Sequence, residues 1–271
     1  MRFLAATVFC VDFFKTTGEV LVGGNSLNFA VQCSNSGMDN VSLLGAVGND
    51  IYGELVRKYL TRFKFDSSRL YTRNGRTASN KIYNDDNGDR YFLPDSWDDG
   101  VYGTFMLSEE DWTYAGEHDV IAMPANNPNF PELLKRKSKQ NRLVADFLDM
   151  RDYNLIERAL PKLDLLFISG NNEVIRSLLP LSMNSNALMV VTLGAAGSTV
   201  ISSGHTYTTA AVPVNTVVDT TGCGDAYIAA FCVDWYSGGN IKTAMEAGSQ
   251  AASKVLAYRG GVENGLMAVL P

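Results

Sequence analysis

Apolar and polar positions alternate along this chain in two periods. Residues 2–9 form a β-branched and aromatic run, which predicts a buried strand. Over 25–37 the apolar positions fall at helical spacing, with Leu27, Ala30, Val31 and Ser34 on one face and Gly37 as the stop. Residues 41–47 predict a second apolar strand, after which Asp50 caps a helix carrying Ile51, Leu55, Tyr59, Leu60 and Phe63. In the second half, Ser108-Glu109-Glu110-Asp111 opens a helix, and strands are predicted at 119–123, 142–147, 163–168 and 188–193. A hairpin through 199–201 and 206–208 turns at Ser203-Gly204, and helices over about 223–236 and 241–257 follow. The last of these puts Ala244, Ala247, Gly248, Ala251, Ala252 and Val255 on a face of small residues suited to close packing.

Between the halves the rhythm changes. The runs TASNKIY and DRYFLP, within 77–94, flank Asp85-Asp86-Asn87-Gly88, and Asn-Gly between alternating segments signals a hairpin. Together with 13–22 (FFKTTGEVLV) it predicts a small antiparallel sheet apart from the main one. Elsewhere, strands alternating with helices imply a mostly parallel sheet flanked by helices, with ligands at the carboxyl ends of its strands. No repeat, low-complexity tract or linker marks a boundary. The expectation is one α/β domain over 1–271, with a lid formed by about 13–22 and 76–104.

Composition narrows the partners. The chain has 271 residues, 46% of them hydrophobic, enough for a large core and against disorder. Lys and Arg number 23 against 29 Asp and Glu, a net charge of −6 that argues against nucleic-acid or anionic-membrane partners. No apolar run reaches the ~20 residues that span a bilayer, and MRFLAATVFCVDFF reads as a strand rather than a signal peptide, so a cytoplasmic location is expected. Cys10, Cys33, Cys223 and Cys232 lack the spacing of a zinc site or a disulfide scaffold and read as small buried hydrophobes. With His118 and His205 the only histidines, a His-rich metal centre is unavailable; a Cys–His pair has nothing to support it.

Two turns could carry chemistry. In Val217-Val218-Asp219-Thr220-Thr221-Gly222-Cys223-Gly224-Asp225-Ala226 an apolar strand is expected to end and a helix to begin, with an acid in its first turn. Glycines let backbone amides approach an anion at a helix start, so a phosphate can bind without lysine, and Asp225 beside it could accept a hydroxyl proton. The same residues also read as a Gly-rich turn with a favourable first-turn charge. Neither a P-loop nor a G-x-G-x-x-G fingerprint is present. The second turn is Gly23-Gly24-Asn25-Ser26-Leu27-Asn28, where Asn25 and Asn28 sit one helical turn apart and could bond adjacent sugar hydroxyls. They read equally as an N-cap and a solvent-facing Asn. Asp12, after the first strand, could join them as an acceptor of two hydroxyl hydrogens.

The two turns, together with VSLLGAVGNDIYGELV, the central hairpin and VVTLGAAGS, strongly resemble the ribokinase-like (PfkB) family of sugar kinases over nearly the whole chain. Within it, TAS…DRYF, the DGV after Trp97 and LSEED are most similar to the fructoselysine 6-kinase group. The resemblance implies a ribokinase-like three-layer fold and transfer of the γ-phosphoryl group of ATP, with Mg2+, to a primary hydroxyl. It makes Asp225 the catalytic base and Gly222, Cys223 and Gly224 the anion hole. Asp12, Gly24, Asn25 and Asn28 become sugar-binding positions; Thr192, Gly194, Gly197 and the segment 247–261, with Gly248, lie on the nucleotide side. A monovalent cation such as K+ near Asp219 and a homodimer through the lid are also implied. The family's Asn-x-x-Glu motif for magnesium is broken, because Asn171 plus three is Val174; Glu173 is the remaining candidate for the metal's water shell. The anion hole's middle residue is Cys223 where the family usually has Ala.

For the substrate, 85–99 carries six Asp and one Arg, and Asp95, Asp98 and Asp99 surround Trp97. A sugar–amino-acid adduct such as fructoselysine would meet these with its amine, and Trp97 or Tyr91 with its chain; the same acidity also suits a hairpin kept from edge-to-edge pairing. Fructokinase, ribokinase and nucleoside kinase are the neighbouring alternatives, and a non-catalytic sugar-binding protein the distant one. Phe13, Phe14, Val20, Leu21 and Val22 would leave an apolar face needing either substrate or a second subunit to cover it.

Overall fold

The computed structural model describes residues 1–269. Its first half runs β1 (Phe3–Thr7), β2 (Cys10–Phe14), β3 (Glu19–Gly23), α1 (Asn25–Asn35), β4 (Val41–Gly48), α2 (Ile51–Leu60), β5 (Asp66–Arg73), β6 (Ala78–Asn84) and β7 (Arg90–Phe92). The second half adds α3 (Glu109–Gly116), β8 (Val120–Pro124), α4 (Phe130–Lys135), β9 (Arg142–Asp146), α5 (Tyr153–Ala159), β10 (Leu165–Ser169) and α6 (Asn172–Ser182). It closes with β11 (Leu188–Thr192), β12 (Ser198–Ser202), β13 (His205–Thr209), α7 (Cys223–Tyr236), α8 (Ile241–Val255) and β14 (Leu266–Val269).

Nine strands form the main sheet in the order β13-β12-β11-β10-β9-β8-β1-β4-β5, parallel from β11 to β5 and antiparallel at the β12–β13 edge. Side chains alternate across it. Phe3 and Ala5 of β1 join a core with residues of α1, α2, α7 and α8, whereas Leu4 and Ala6 join one with residues of α3, α4, α5 and α6. Both faces are therefore covered, which is why the strands read as continuous apolar runs. The expected helix starts are present. Asp50 accepts from the Gly53 amide at 2.9 Å, and Ser108 with Asp111 makes a reciprocal capping box on α3. No helix among the described residues is long and apolar enough to cross a membrane.

A second sheet, ordered β14-β3-β2-β6-β7, stands beside the carboxyl ends of the first and includes both segments expected to form the lid. Three expectations need correction here. The apolar run 2–9 is not one strand: β1 ends at Thr7 and Cys10 already begins β2 of the smaller sheet. Burial on both faces removes the period that would have marked this switch. The smaller sheet is mixed rather than antiparallel, since β2 and β6 pair in parallel. The cause is topological: β1 and β5 are parallel strands, and β2 and β6 continue from them past the same edge. Finally, the apolar lid positions are covered by the chain itself. Val20 and Val22 belong to the main core, Phe14 and Leu21 pack with Ile82, and Phe13 lies edge-on to Tyr52 of α2 at 5.3 Å between centroids. They give no reason for a second subunit.

Candidate active site

The segment before α7 is built around a carboxylate that never sees solvent. Asp219 is 0% exposed and accepts four hydrogen bonds. They come from Asn84 Nδ2 at 2.7 Å, the Thr221 amide at 2.9 Å, Thr221 Oγ1 at 2.8 Å and the Gly260 amide at 2.7 Å. Three of these fall on Oδ1 and one on Oδ2, so Oδ2 keeps a free acceptor position. Residues 210–222 form no strand, contrary to expectation; the segment crosses the surface, with the Val218 amide bonded to Leu256 O at 2.8 Å. Its path is set by these side-chain and backbone anchors instead of a ladder.

Gly222 then turns the chain into α7 in the left-handed region, with φ 78°. An added Cβ would sit 2.3 Å from the Gly261 Cα, so both the dihedral and the close backbone approach demand glycine. The helical pattern starts with the Ala226 amide on Gly222 O at 2.9 Å. The amides of Gly224 and Asp225 precede it without backbone acceptors among the described residues, and the space beside Gly224 is open. Open amides at a helix start are what an anion-binding turn requires. The Cys223 thiol contacts Ala252 O at 3.7 Å, and burial, then Asp219 and Asp225, push its pKa up to about 12. It is a poor nucleophile.

Asp225 projects from the first turn of α7 onto α1. Asn28 Nδ2 donates to its Oδ2 at 2.7 Å and Asn25 Nδ2 to its Oδ1 at 2.8 Å, while the Asn25 amide also reaches Asp146 Oδ2 at 2.7 Å. Burial raises the Asp225 pKa to about 7; the Asn28 bond opposes that rise, Asp146 adds to it, Arg90 opposes it and Asp12 adds to it. Asp146, at the carboxyl end of β9, is likewise raised to about 6 by burial. Asp12 lies opposite Asn80 in the β2–β6 pairing, is 6% exposed and is raised to about 7, chiefly by burial. It has room because Gly23 bears no side chain: a Cβ there would fall 2.1 Å from Asp12 Oδ2. Gly24 likewise lets the start of α1 approach β1's end, where a Cβ would meet Val8 O at 2.6 Å. A small cleft lined by Asn25, Ser26, Asp146 and Asp225 opens among these groups.

The other candidate residues divide. Thr192 ends β11, its Oγ1 3.4 Å from Ser169 Oγ at the end of β10, and Gly194 and Gly197 form the turn that follows. These lie on the same sheet edge as Asp146, two strands along, roughly 10 Å at the usual strand spacing. Gly248 is instead a packing residue, buried on α8 where a Cβ would press on the Tyr227 ring at 2.9 Å. Tyr91 is 53% exposed. In the β6–β7 pairing it opposes Tyr83, on the face away from Asn84, whose amide meets Asp219; Arg90, opposite Asn84, shares that face. The acidic stretch is partly structural as well: Asp85 accepts from the Asn87 and Asp89 amides, and Asp98 pairs with Arg76 at 2.9 Å. Trp97 is 44% exposed and packs edge-on to Tyr102.

Sequence reasoning missed Asp146 and Arg90. The first carried a readable signal, an acid at the carboxyl end of a parallel strand. The second was the lone cation in an acidic hairpin, but only the pairing register shows which way it points.

Glu173 is exposed in the first turn of α6, whose N-cap is Asn171. Among the described residues no group of three or more His, Cys, Asp or Glu side chains could hold a metal. Magnesium keeps several waters and needs only one or two carboxylates beside the phosphates, so an exposed carboxylate such as Glu173 fits it as a water-shell partner.

A three-layer fold with open helix-start amides and a buried carboxylate at the carboxyl edge of its sheet is the frame of a phosphoryl-transfer enzyme acting on an alcohol. Residues 15–266 match the pfkB family carbohydrate kinases, and the chain belongs to that family: it is an ATP-dependent sugar kinase of ribokinase-like fold. It is similar to the fructoselysine 6-kinase of Shigella flexneri, 33% identical over 258 residues that cover 93% of this chain and 95% of the relative. To the fructoselysine 6-kinase of Escherichia coli (strain K12) it is 32% identical with the same coverage. Among solved structures, Arabidopsis thaliana ribokinase complexed with ribose and ATP aligns with TM-score 0.80 at 18% identity, covering 96% of this chain and 93% of that one.

Proposed function

We propose that this kinase phosphorylates a primary hydroxyl of a fructoselysine-like sugar–amino-acid adduct, with Asp225 as the base. The observation that carries the reading is the double hold of Asn25 and Asn28 on Asp225 at the mouth of the Gly222–Gly224 cradle. A carboxylate raised to about 7 is matched to accepting an alcohol proton near neutral pH. Asp225 takes that proton as the sugar oxygen bonds to the γ-phosphorus and the bond from phosphorus to the bridging oxygen breaks, releasing ADP. The Gly222–Gly224 turn holds the phosphoryl oxygens, with the free amides of Gly224 and Asp225 as donors. Bound magnesium would supply charge neutralisation on the phosphates, with Glu173 facing its waters. Sugar hydroxyls would take over hydrogen bonds of Asn25 and Asn28 and donate to Asp12, and the turn at Thr192, Gly194 and Gly197 would line the nucleotide. The smaller sheet acts as the lid.

The adduct is favoured by the two fructoselysine kinases among the relatives and by the exposed Asp95 and Asp99 flanking Trp97, which suit a cationic tail. A coupled ADP-release assay compares kcat/KM for fructoselysine, fructose, ribose and nucleosides. Fructoselysine is expected to lead, and preference for plain fructose would remove the adduct. Asp225→Asn is expected to lower kcat at least ~100-fold; near-normal turnover would remove Asp225 from its role.

A further inference from the structure

Two polar side chains of the smaller sheet stand side by side across a strand pairing and yet do not bond to each other. Asp12 of β2 lies directly opposite Asn80 of β6, so both project from one face, about 4.8 Å apart at the usual strand spacing. Both are buried, at 6% and 8% exposure. The Asp12 carboxylate accepts no side-chain or backbone hydrogen bond among the described residues.

The Asn80 amide is held by its oxygen alone. Ser96 Oγ donates to Oδ1 at 2.7 Å and the Lys81 amide donates to it at 2.9 Å, which fills both lone pairs. These bonds allow one sense of the amide, because turning it over would set its NH2 group against the Lys81 N–H. Ser96 is itself fixed. It is 7% exposed, and its loop is stapled along β6 by the Leu93 amide on Lys81 O at 3.1 Å and by paired Ser79–Asp98 bonds at 2.8 and 2.9 Å. Asn80 Nδ2 therefore keeps both hydrogens, and it meets no acceptor among the described residues.

A carboxylate and an amide donor are thus set next to each other, each without a partner. Such a desolvated group costs about 1–3 kcal/mol when left unpaired. A hydroxyl answers both at once, donating its hydrogen to the carboxylate while its oxygen accepts from the amide. An ammonium would satisfy Asp12 alone and a carbonyl Asn80 alone, so the amine of an adduct belongs elsewhere.

We infer that Asn80 is a specificity-determining residue, donating from Nδ2 to the sugar hydroxyl that gives its hydrogen to Asp12, with Ser96 as the positioning residue that keeps the amide in that sense. This deepens the sugar-kinase reading and rests on Asp12 lying in the sugar site; it does not depend on which residue is the base. The two groups stand on adjacent strands of one sheet, so an epimer that moves the hydroxyl loses both bonds together.

The test measures ADP release by Asn80→Leu and Ser96→Ala with fructoselysine, with free fructose, and with the sugars epimeric to each at carbons 3, 4 and 5. In the parent at least one epimer is expected to fall ~10-fold or more in kcat/KM. Asn80→Leu should raise the sugar KM at least ~10-fold, leave the KM for ATP unchanged, and shrink the preference over that epimer to within ~3-fold. A purely structural residue would weaken every sugar alike and keep the preference. Ser96→Ala should move both readouts the same way by less, since the amide remains but can turn over. An unchanged sugar KM in Asn80→Leu, a preference that survives it, or a parent indifferent to all the epimers would overturn the inference. Should Asn80→Leu misfold by circular dichroism, Ser96→Ala decides through the epimer preference. A parent that favours free fructose loses the adduct, while Asn80 is still read on the fructose epimers; an active Asp225→Asn loses the base, while the sugar KM still reports Asn80.

Discussion

Replacing Asn28 with Leu should move the acidic limb of the pH–rate profile upward. The Asn28 amide donates 2.7 Å to one oxygen of Asp225 and to no other carboxylate. It is the largest influence holding the ionised form against burial, which has raised that pKa to about 7. A hydrogen bond to a charged group contributes about 1.5–3 kcal/mol, and each pH unit corresponds to about 1.4 kcal/mol. The Leu variant keeps the branching but not the donor, so Asp225 should then ionise roughly one to two pH units higher. The assay is ADP release at low sugar concentration from pH 5.5 to about pH 9.5, since kcat/KM reports groups of the free enzyme whatever the sugar's affinity. Asp12 and Asp146 titrate in the same range, so the apparent values belong to the cluster; only a shift specific to Asn28 identifies Asp225. A lower plateau with the limb in its wild-type place would refute the reasoning, leaving Asn28 a sugar ligand and nothing more.

Two further outcomes are expected. Gly222→Ala combines a φ of 78° with a Cβ 2.3 Å from backbone; it should cost ~1–3 kcal/mol or more, read as a melting temperature several degrees lower, with turnover falling further than stability. Asp12→Asn should match the parent in stability below about pH 3.5 and be more stable than it at pH 8 in urea unfolding. The folded state of the parent binds the extra proton between the ordinary aspartate pKa and about 7, so this residue's contribution worsens as pH rises through that window. An equal difference at both pH values would show that the buried charge is not the cause.

Much of the fold was readable because it rests on short-range signals. The parallel sheet announced itself in apolar runs separated by helical patterns, and Asp50 and Ser108 marked helix starts through their capping chemistry. Asn25, Asn28 and Asp225 were singled out one turn at a time, on glycine-rich entries to helices. The packing role of Gly248 was legible too, as part of a small-residue face, and it was the resemblance to the family that drew it toward the nucleotide.

What the amino-acid order determined alone is thus periodicity, helix entry and the type of each chemical group, all properties of neighbours along the chain. Tertiary structure decided which groups meet. Asn25 and Asp225 are 200 positions apart, and Asp146 joins them only because β9, β8 and β1 lie side by side in the sheet. Likewise the direction of Arg90 and Tyr91 followed from register in the β6–β7 pair, where a slip of one residue would exchange their faces. The raised acidity constants have the same origin, for they come from desolvation and from charges brought close by folding, neither of which a linear pattern carries.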